Sequence, residues 1–582
     1  MSVIQQVQDL KASLQPVEAA DLLVAYLEQI GVEYVFGVPG GAIEPLYNAL
    51  ARSARRRGPR PVVARHEAGA AFMADGYNRE SGKLGVCCAT SGPGTTNLIT
   101  GVACAYENEI PMLVISGQPS LNLLGRGALQ ESSGAGIDTI AMLRTCTRFS
   151  ALISHPDQLE PQLVSALLNA HHPIPGPVHL SIPVDVLRTQ LQCGPSYNLA
   201  HLLQPQAAVD DAAVRELQAQ LAQSKRMVVL IGSGGGPAID LIIELVERMN
   251  AVFVVTPDAK GYISPRHPLY RGVFGFAGHR TAVEAVGDRE VDLILVVGSA
   301  LSEWTSNGWS ESLLNNRLVH IDSCEAHLTR SPMARLHVRG LVRPVFERIL
   351  RTLRRDATKE IVPGEKRKFK KRSIDDSFRS PLSGASIKPQ YLMRELGWRS
   401  PPDTRFLVDS GNSTTWAIHN LGMHDHLHSA GGWMRITMNF APMGWAIGGA
   451  VGTALANRGV PVVCLTGDGS LLMNGQEMTV ALAEKLSVVF VILNDSALGM
   501  VKHGQRLAGA EQIGYELPTV DFRRMAESMG IPGYLIRTAE DFDDLNLDSI
   551  LRNQGPTVLD VRIDADEVPP MGLRLQILGT KK

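Results

Sequence analysis

Short apolar runs ending in Gly, Asp or Ser recur along nearly the whole chain, with amphipathic, helix-period segments between them. VEYVFGV, KLGVCCAT, PMLVISG and PVHLSIP stand in the first third; RMVVLIG, AVFVVTP, VDLILVVG and RLVHID in the middle; TRFLVDSG, VPVVCLTG, LSVVFVILN and PTVLDVRI in the last. A strand with one wet face alternates apolar and polar residues. Continuous Val/Ile/Leu runs mean strands buried on both faces, which is the condition of parallel sheets covered by helices. The pattern occurs three times, so the chain reads as α/β, with three doubly wound parallel-sheet domains. Its 582 residues suit that count at about 100–200 residues per domain.

Polar, Pro- and Gly-containing stretches mark the boundaries. They divide the chain into a first domain over 1–190, a middle domain of Rossmann type over 206–355 and a third over 386–570, with a tail at 571–582. A linker over 356–385 carries GEKRKFKKRS, in which six of the seven residues Lys366 to Arg372 are basic; a solvated connection accounts for it.

Composition excludes several functions. Lys and Arg total 56 against 58 Asp and Glu, so there is no electrostatic footprint for nucleic acid, and 5% aromatics offer few stacking platforms. The seven cysteines form no CxxC pair, which argues against a zinc site or disulfide framework and for a reducing compartment. MSVIQQVQDLKASLQP lacks the apolar core of a signal peptide, and no run approaches the ~18 apolar residues of a membrane span. A cytoplasmic protein without membrane or nucleic-acid partners is expected.

The strongest chemical signal is VPVVCLTGDGS, a buried strand ending in Gly467-Asp468-Gly469-Ser470 and followed by a helix. The next strand, LSVVFVILN, ends at Asn494-Asp495, so Asp468 and Asp495 are 27 positions apart. That is the length of one strand–helix–strand unit, and its right-handed crossover sets both carboxylates at the carboxyl ends of neighbouring parallel strands. Alone, a strand-end Asp is an ordinary helix cap. Two hard oxygen ligands beside glycines and a helix N-terminus suit Mg²⁺ held against phosphates, with Ser470 donating to a phosphate oxygen. In the first domain, PVVARHEAGAAFMADGY reads as a strand, then His66-Glu67, then a helix of small residues.

GDGS with the later Asn-Asp pair resembles the cofactor signature of the thiamine diphosphate (ThDP) enzymes, and the resemblance spans nearly the full chain. Within them, VFGVPGGAIEPLY, RHEAGAAFMADGY, TSGPGTTNLITG, IPMLVISGQ, LQES, PGPVHLSIPVDV, MGWAIGGAVG, GDGSLLMNGQE and LNDSALGMV resemble the acetohydroxyacid (acetolactate) synthase group. The resemblance implies pyrimidine-binding, middle and diphosphate-binding domains in that order. Glu67 would hydrogen-bond the aminopyrimidine ring and favour the tautomer that removes the thiazolium proton, a role suited to a buried carboxyl. Asp468, Asp495 and the carbonyl of Ala497 would hold Mg²⁺; the family usually has Asn where Asp495 stands. Asn412 and Ser413 would face the diphosphate together with Gly467, Gly469 and Ser470. Met443 would wedge the cofactor into a bent conformation, Ala441 would offer its carbonyl to the pyrimidine amino group, and Gly499 and Met500 would line the same pocket. Pro93 and Asn97 would approach the pyrimidine from the other subunit, and Gly41, Leu129 and Gln130 would face the substrate at the catalytic centre.

Three segments depart from the family pattern. Gly504, in GMVKHGQ, stands where the biosynthetic synthases carry a Trp that shapes the acceptor pocket. GSALSEWTSNGW replaces a flavin-binding GARFDDRVTG segment, so no FAD is expected, with ADP or an empty middle domain as the alternatives. The tail DEVPPMGLRLQILGTKK also diverges. The expected activity is that of a ThDP- and Mg²⁺-dependent carboligase, which decarboxylates a 2-oxo acid such as pyruvate and joins the remaining unit to a second carbonyl compound. A 2-oxo acid decarboxylase or C–C lyase, or an acyl transferase to a non-pyruvate acceptor, shares every cofactor residue. The resemblance also implies a homodimer or homotetramer with its sites at subunit interfaces.

Overall fold

The structure, a computed structural model, describes residues 16–172, 174–192, 194–204, 209–355, 384–422 and 432–572. The basic run Lys366 to Arg372, most of the divergent tail and Cys193 lie outside the described residues. The other six cysteines are buried free thiols. No helix among the described residues is long and apolar enough to cross a membrane.

The chain folds into two compact units. The first draws on Met1–Pro205, Asn439–Gly459 and Asn474–Leu486, the second on Gln206–Met438, Val460–Met473 and Ser487–Lys582.

In the first unit, six strands form one parallel sheet: β1 (Tyr34–Gly37), β2 (Arg60–Val63), β3 (Gly85–Ala89), β4 (Met112–Gln118), β5 (Phe149–Leu152) and β6 (Pro177–Pro183). Their order across the sheet is β2-β1-β3-β4-β6-β5. The chain therefore leaves β1 in one direction and resumes on its other side at β3, opening a crevice at their carboxyl ends. Ligands of open α/β sheets bind at such reversals.

The Glu67–Ser81 helix of this unit is packed face to face with the Trp445–Ala456 helix by glycine. A Cβ on Gly76 would overlap the Gly449 carbonyl oxygen and stand 2.7 Å from its carbonyl carbon and Cα, and one on Gly448 would stand 2.8 Å from Phe72 Cβ. Thr453 Oγ1 donates to the Gly76 carbonyl at 3.2 Å, so backbone meets backbone along the crossing.

The second unit holds two parallel sheets. The middle one is built from β7 (Met227–Ile231), β8 (Val252–Val255), β9 (Tyr270–Val273), β10 (Leu293–Val297), β11 (Leu318–Asp322) and β12 (Leu336–Arg339), in the order β9-β8-β7-β10-β11-β12. The last is built from β13 (Arg405–Val408), β14 (Met434–Arg435), β15 (Val462–Gly467), β16 (Val488–Asn494), β17 (Gly533–Ile536) and β18 (Thr557–Arg562), in the order β14-β13-β15-β16-β18-β17. Their reversals lie between β7 and β10 and between β13 and β15. One apolar core runs through both sheets, from Val229 and Phe253 to Phe406, Val463 and Val491.

Candidate cofactor site

Around the β13–β15 reversal of the second unit the site is made of strand ends and helix starts. β13 runs into Asp409, Ser410 and Gly411, then the Asn412–Asn420 helix; β15 runs into the Asp468–Asn474 helix; β16, registered beside β15 with Gly467 opposite Leu493, leads to Asp495. Asp409, fully buried, ties the two strands across the reversal by accepting from Thr466 Oγ1 at 2.9 Å. In the sequence this Asp is only the polar end of the TRFLVDSG strand run.

The buried oxygens here are short of partners. Asp468 Oδ1 accepts from the Gly469 amide at 2.7 Å, while Asp468 Oδ2, Ser470 Oγ, Asn412 Oδ1 and Ser410 Oγ are buried with no hydrogen-bond partner. Such groups cost about 1–3 kcal/mol each when left unsatisfied. Burial pushes the Asp468 carboxyl up to about 6 against the pull of the Gly469, Ser496 and Ala497 amides. Burial, and next the charge of Asp468, push Asp495 up to about 7. A buried and a half-buried carboxylate that repel each other, with an unmade oxygen contact, fit a divalent cation ringed by hard oxygens.

Gly499, at the start of the Gly499–Ala508 helix, has Asn412 and Asp495 against it: a Cβ there would stand 2.6 Å from Asn412 Nδ2 and from Asp495 Oδ2. The cradle thus closes on a glycine. Ala497 is buried beside it and Met500 is half-buried against the core. Gly467, half-buried, has open space where a side chain would project. Ser413 differs from its neighbour: its hydroxyl donates to the Asp409 carbonyl at 2.6 Å, which leaves its backbone amide at the helix start as the group free to meet an anion.

The first unit gathers a different set. Glu67 opens its helix with His66 as N-cap, is buried, and accepts from Asn97 Nδ2 at 2.9 Å. Asn97 lies one turn into the Pro93–Glu107 helix, which follows β3 at the β1–β3 reversal. Its N-cap, Gly92, has φ 64°, and a Cβ there would stand 2.9 Å from Gln130 Cβ, so glycine is required twice over. The Gly92 amide donates to Ser132 Oγ at 3.2 Å and Ser132 exchanges bonds with Gln118, which fixes the Leu129–Gln130 loop over Pro93. Leu129 is 87% exposed, and Gln130, with φ 59°, is exposed as well. Gly41, on the other lip of the reversal after β1, is exposed with nothing near its Cβ position. Ala441, with φ 44°, and Met443 are half-buried before the Trp445–Ala456 helix. The structure therefore places Glu67, Pro93, Asn97, Gly41, Leu129, Gln130, Ala441 and Met443 in the first unit and the diphosphate and metal candidates in the second.

In the middle sheet the GSGGG turn is explained by packing. Gly234 donates to the Gly298 carbonyl at 2.9 Å, and a Cβ on Gly236 would stand 2.6 Å from the Tyr262 ring.

Comparison with known proteins gives a consistent result along the whole chain. Residues 17–142 match a model described as "Thiamine pyrophosphate enzyme, N-terminal TPP binding domain", 214–349 the central domain and 409–561 the C-terminal TPP binding domain of the same family. The chain is 30% identical over 560 residues to the acetolactate synthase isozyme 2 large subunit of Escherichia coli, covering 95% of this chain and 97% of that one. It is 29% identical over 573 residues to the isozyme 1 large subunit of the same organism, at 96% and 97% coverage. Against an acetolactate synthase of Arthrospira platensis it is 30% identical over 581 residues, with 96% of each chain covered.

Proposed function

Because the chain belongs to the thiamine pyrophosphate enzymes and is closely related to their acetolactate synthases, we propose that it is a ThDP- and Mg²⁺-dependent carboligase, with pyruvate as the donor and acetolactate as the simplest product. The coarser activity, use of a 2-oxo acid in C–C bond chemistry, follows from the family. The observation that carries the site assignment is the group of buried, unpartnered oxygens at the β13–β15 reversal.

Bound ThDP would supply the carbanion chemistry needed to decarboxylate a 2-oxo acid and join the remaining unit to a second carbonyl compound. The residues do the holding and the proton handling. Asp468, Asp495 and the Ala497 carbonyl would hold Mg²⁺, whose charge would offset the repulsion between the two carboxylates. Ser470, Asn412 and the amides of Ser413 and Gly469 take the phosphate oxygens at two helix starts. Gly467 and Gly499 keep room for them, and Met500 lines the pocket. Glu67, oriented by Asn97, would hold a proton at the pyrimidine ring nitrogen; Ala441 would accept from the exocyclic amine, and Met443 and Pro93 would pack against the ring. Gly41, Leu129 and Gln130 present an open lip to the substrate.

Exposure of that lip in the single chain supports a homodimer or homotetramer, in which the two half-sites come from different subunits. Gly504, in place of the family's Trp and with open space at its Cβ, favours an acceptor larger than a small 2-oxo acid. The test is ¹³C-labelled pyruvate with Mg²⁺ and ThDP, read by NMR without added acceptor. Labelled acetolactate is expected. Acetaldehyde or acetoin alone would move the assignment to a decarboxylase or acyloin-forming ligase, and no turnover would remove pyruvate as donor.

A further inference from the structure

A second buried carboxyl, given no part above in holding the cofactor, meets the backbone just before Glu67. Glu477 is fully buried at the end of the Gly475–Glu477 turn. Its Oε1 accepts from the backbone amides of Arg65 at 3.1 Å and His66 at 2.8 Å, and its Oε2 stands 3.2 Å from the Arg65 amide. His66 is the N-cap of the helix that Glu67 opens, so these are the two amides immediately before that residue. The clamp is seated from a second side as well. Gly69, in the first turn, is glycine where a Cβ would overlap Glu477 Oε1 and stand 2.5 Å from its Cδ. The Arg65 guanidinium is held elsewhere, by Thr479 Oγ1 at 2.8 Å and the Val63 carbonyl at 2.7 Å, so the carboxylate meets backbone dipoles rather than a paired cation.

We propose that Glu477 is a positioning residue for Glu67, whose ionised carboxylate clamps the Arg65 and His66 amides and so fixes the turn from which Glu67 reaches the cofactor. The inference rests on the role given to Glu67 above. A charged acceptor shared by two amides makes stronger bonds than a neutral one, and a displacement near 1 Å at a reacting group costs about 100-fold in rate. Protonation would loosen the clamp: Oε2 would become a donor facing the Arg65 amide, and Oε1 would be left as a weaker, neutral acceptor for both amides. The groups that set that protonation are named by the packing: burial pushes the Glu477 carboxyl up to about 7, the Arg65 and His66 amides and the Arg65 charge pull it down, and Glu67 pushes it up.

Glu477→Ala, Glu477→Gln and Glu67→Gln are compared by two readouts. The first is backbone amide exchange at residues 65 and 66 in the ligand-free protein. The second is exchange of the thiazolium proton of bound ThDP with solvent deuterium, without substrate, from acid to neutral pH. Glu477→Ala is expected to lower amide protection at least ~10-fold and slow cofactor proton exchange ~100-fold, with ThDP affinity changed less than ~5-fold. Glu477→Gln, the neutral counterpart of the protonated state, is expected to stay near the wild-type acid-side rate at every pH, above Glu477→Ala, and so to lose the acid limb of the wild-type profile. Wild-type proton exchange in Glu477→Ala overturns the proposal. So does an acid limb that persists in Glu477→Gln, and this variant decides alone where the alanine variant does not fold. Fast exchange in Glu67→Gln would refute the role of Glu67 itself, an outcome distinct from a failure of Glu477 alone.

Discussion

Gly76→Ala offers a direct test of the glycine crossing that carries Glu67. The new Cβ would stand 2.7 Å from the carbonyl carbon and Cα of Gly449, against 3.4 Å for an ordinary contact, and would overlap the carbonyl oxygen outright. Both sides of the clash are backbone, so no rotamer change relieves it; the Glu67–Ser81 and Trp445–Ala456 helices must part by at least about 0.7 Å. A gap of that size forfeits about a quarter or more of the local dispersion energy. Overpacking of this kind costs about 1–3 kcal/mol, and a backbone clash belongs near the top of that range. Alanine returns about 0.5–1 kcal/mol through its helix preference, which leaves about 2 kcal/mol of destabilisation. For a unit of this size that lowers the melting temperature by about 4–8 °C.

The assay is thermal unfolding of the ligand-free protein at fixed concentration, with Gly504→Ala as the opposite case. Gly504 lies inside a helix with nothing within 4 Å of its Cβ position, so alanine there should be neutral or stabilising by up to about 1 kcal/mol. A Gly76→Ala protein that melts within about 1 °C of wild type would refute the reasoning, because it would mean the crossing tolerates separation at no cost.

Glu67→Gln should keep the Asn97 contact and bind Mg²⁺ and ThDP within about threefold of wild type, while carboligation falls at least ~100-fold; undiminished turnover removes the assigned role. Gly504→Trp should shift acceptor preference toward small 2-oxo acids, and an unchanged profile of products from mixed acceptors counts against the open pocket. Purified protein should show no flavin band in its visible spectrum, since the Gly298–Trp309 segment lacks the Arg and Asp pair of the flavin enzymes. Two buried histidines set an acid limit on stability. Burial lowers His179 to about 3, where it bridges Ser116 and Ser150, and lowers His320 to about 4, between Ser331 and the Ser299 carbonyl. At these two sites the unfolded chain binds protons at about pH 6.5 and the folded chain does not, so their contribution is full above that pH and falls as pH drops toward 4. Asp468, Asp495 and Glu477 contribute in the opposite sense, since their raised values let the folded chain take up protons over the same range. Between pH 6.5 and 5 each histidine should remove about 2 kcal/mol. The difference in denaturation midpoint between wild type and His179→Gln across this range isolates the histidine contribution, and a difference that does not change with pH would refute it.

The twelve apolar runs that announced three sheets are the strands nearest the sheet centres, and each is present. The strands harder to read are five of the six edge strands, β5, β9, β12, β14 and β17, which include FSAL, YRGV, LHVR and GYLI. An edge strand has one neighbour and a wetter face, so its sequence carries less of the continuous hydrophobicity that reveals an inner strand. The same logic separates the site residues. Asp468 and Asp495 were legible because a strand–helix–strand unit fixes where residues 27 positions apart end up. The clamp of Glu477 on His66 joins positions 411 apart through packing between segments, and no local pattern announces it, although the NGQE motif was in view.

Burial alone does not tell a carboxylate that awaits a ligand from one that holds the frame. Asp468 and Glu477 are both removed from water and both pushed toward neutrality by that removal. They differ in what meets their oxygens. The amides of Arg65 and His66 meet both oxygens of Glu477, so its desolvation is offset from within the fold. At Asp468 one oxygen accepts from the Gly469 amide and the other makes no hydrogen bond, beside Ser470 and Asn412 oxygens in the same condition. A fold that leaves several such atoms together at one sheet reversal is destabilised there until a cation and its phosphate partners arrive. Ligand-free protein should therefore gain thermal stability from Mg²⁺ and ThDP added together. Asp468→Asn should lose most of that gain, whereas Glu477→Gln should keep it.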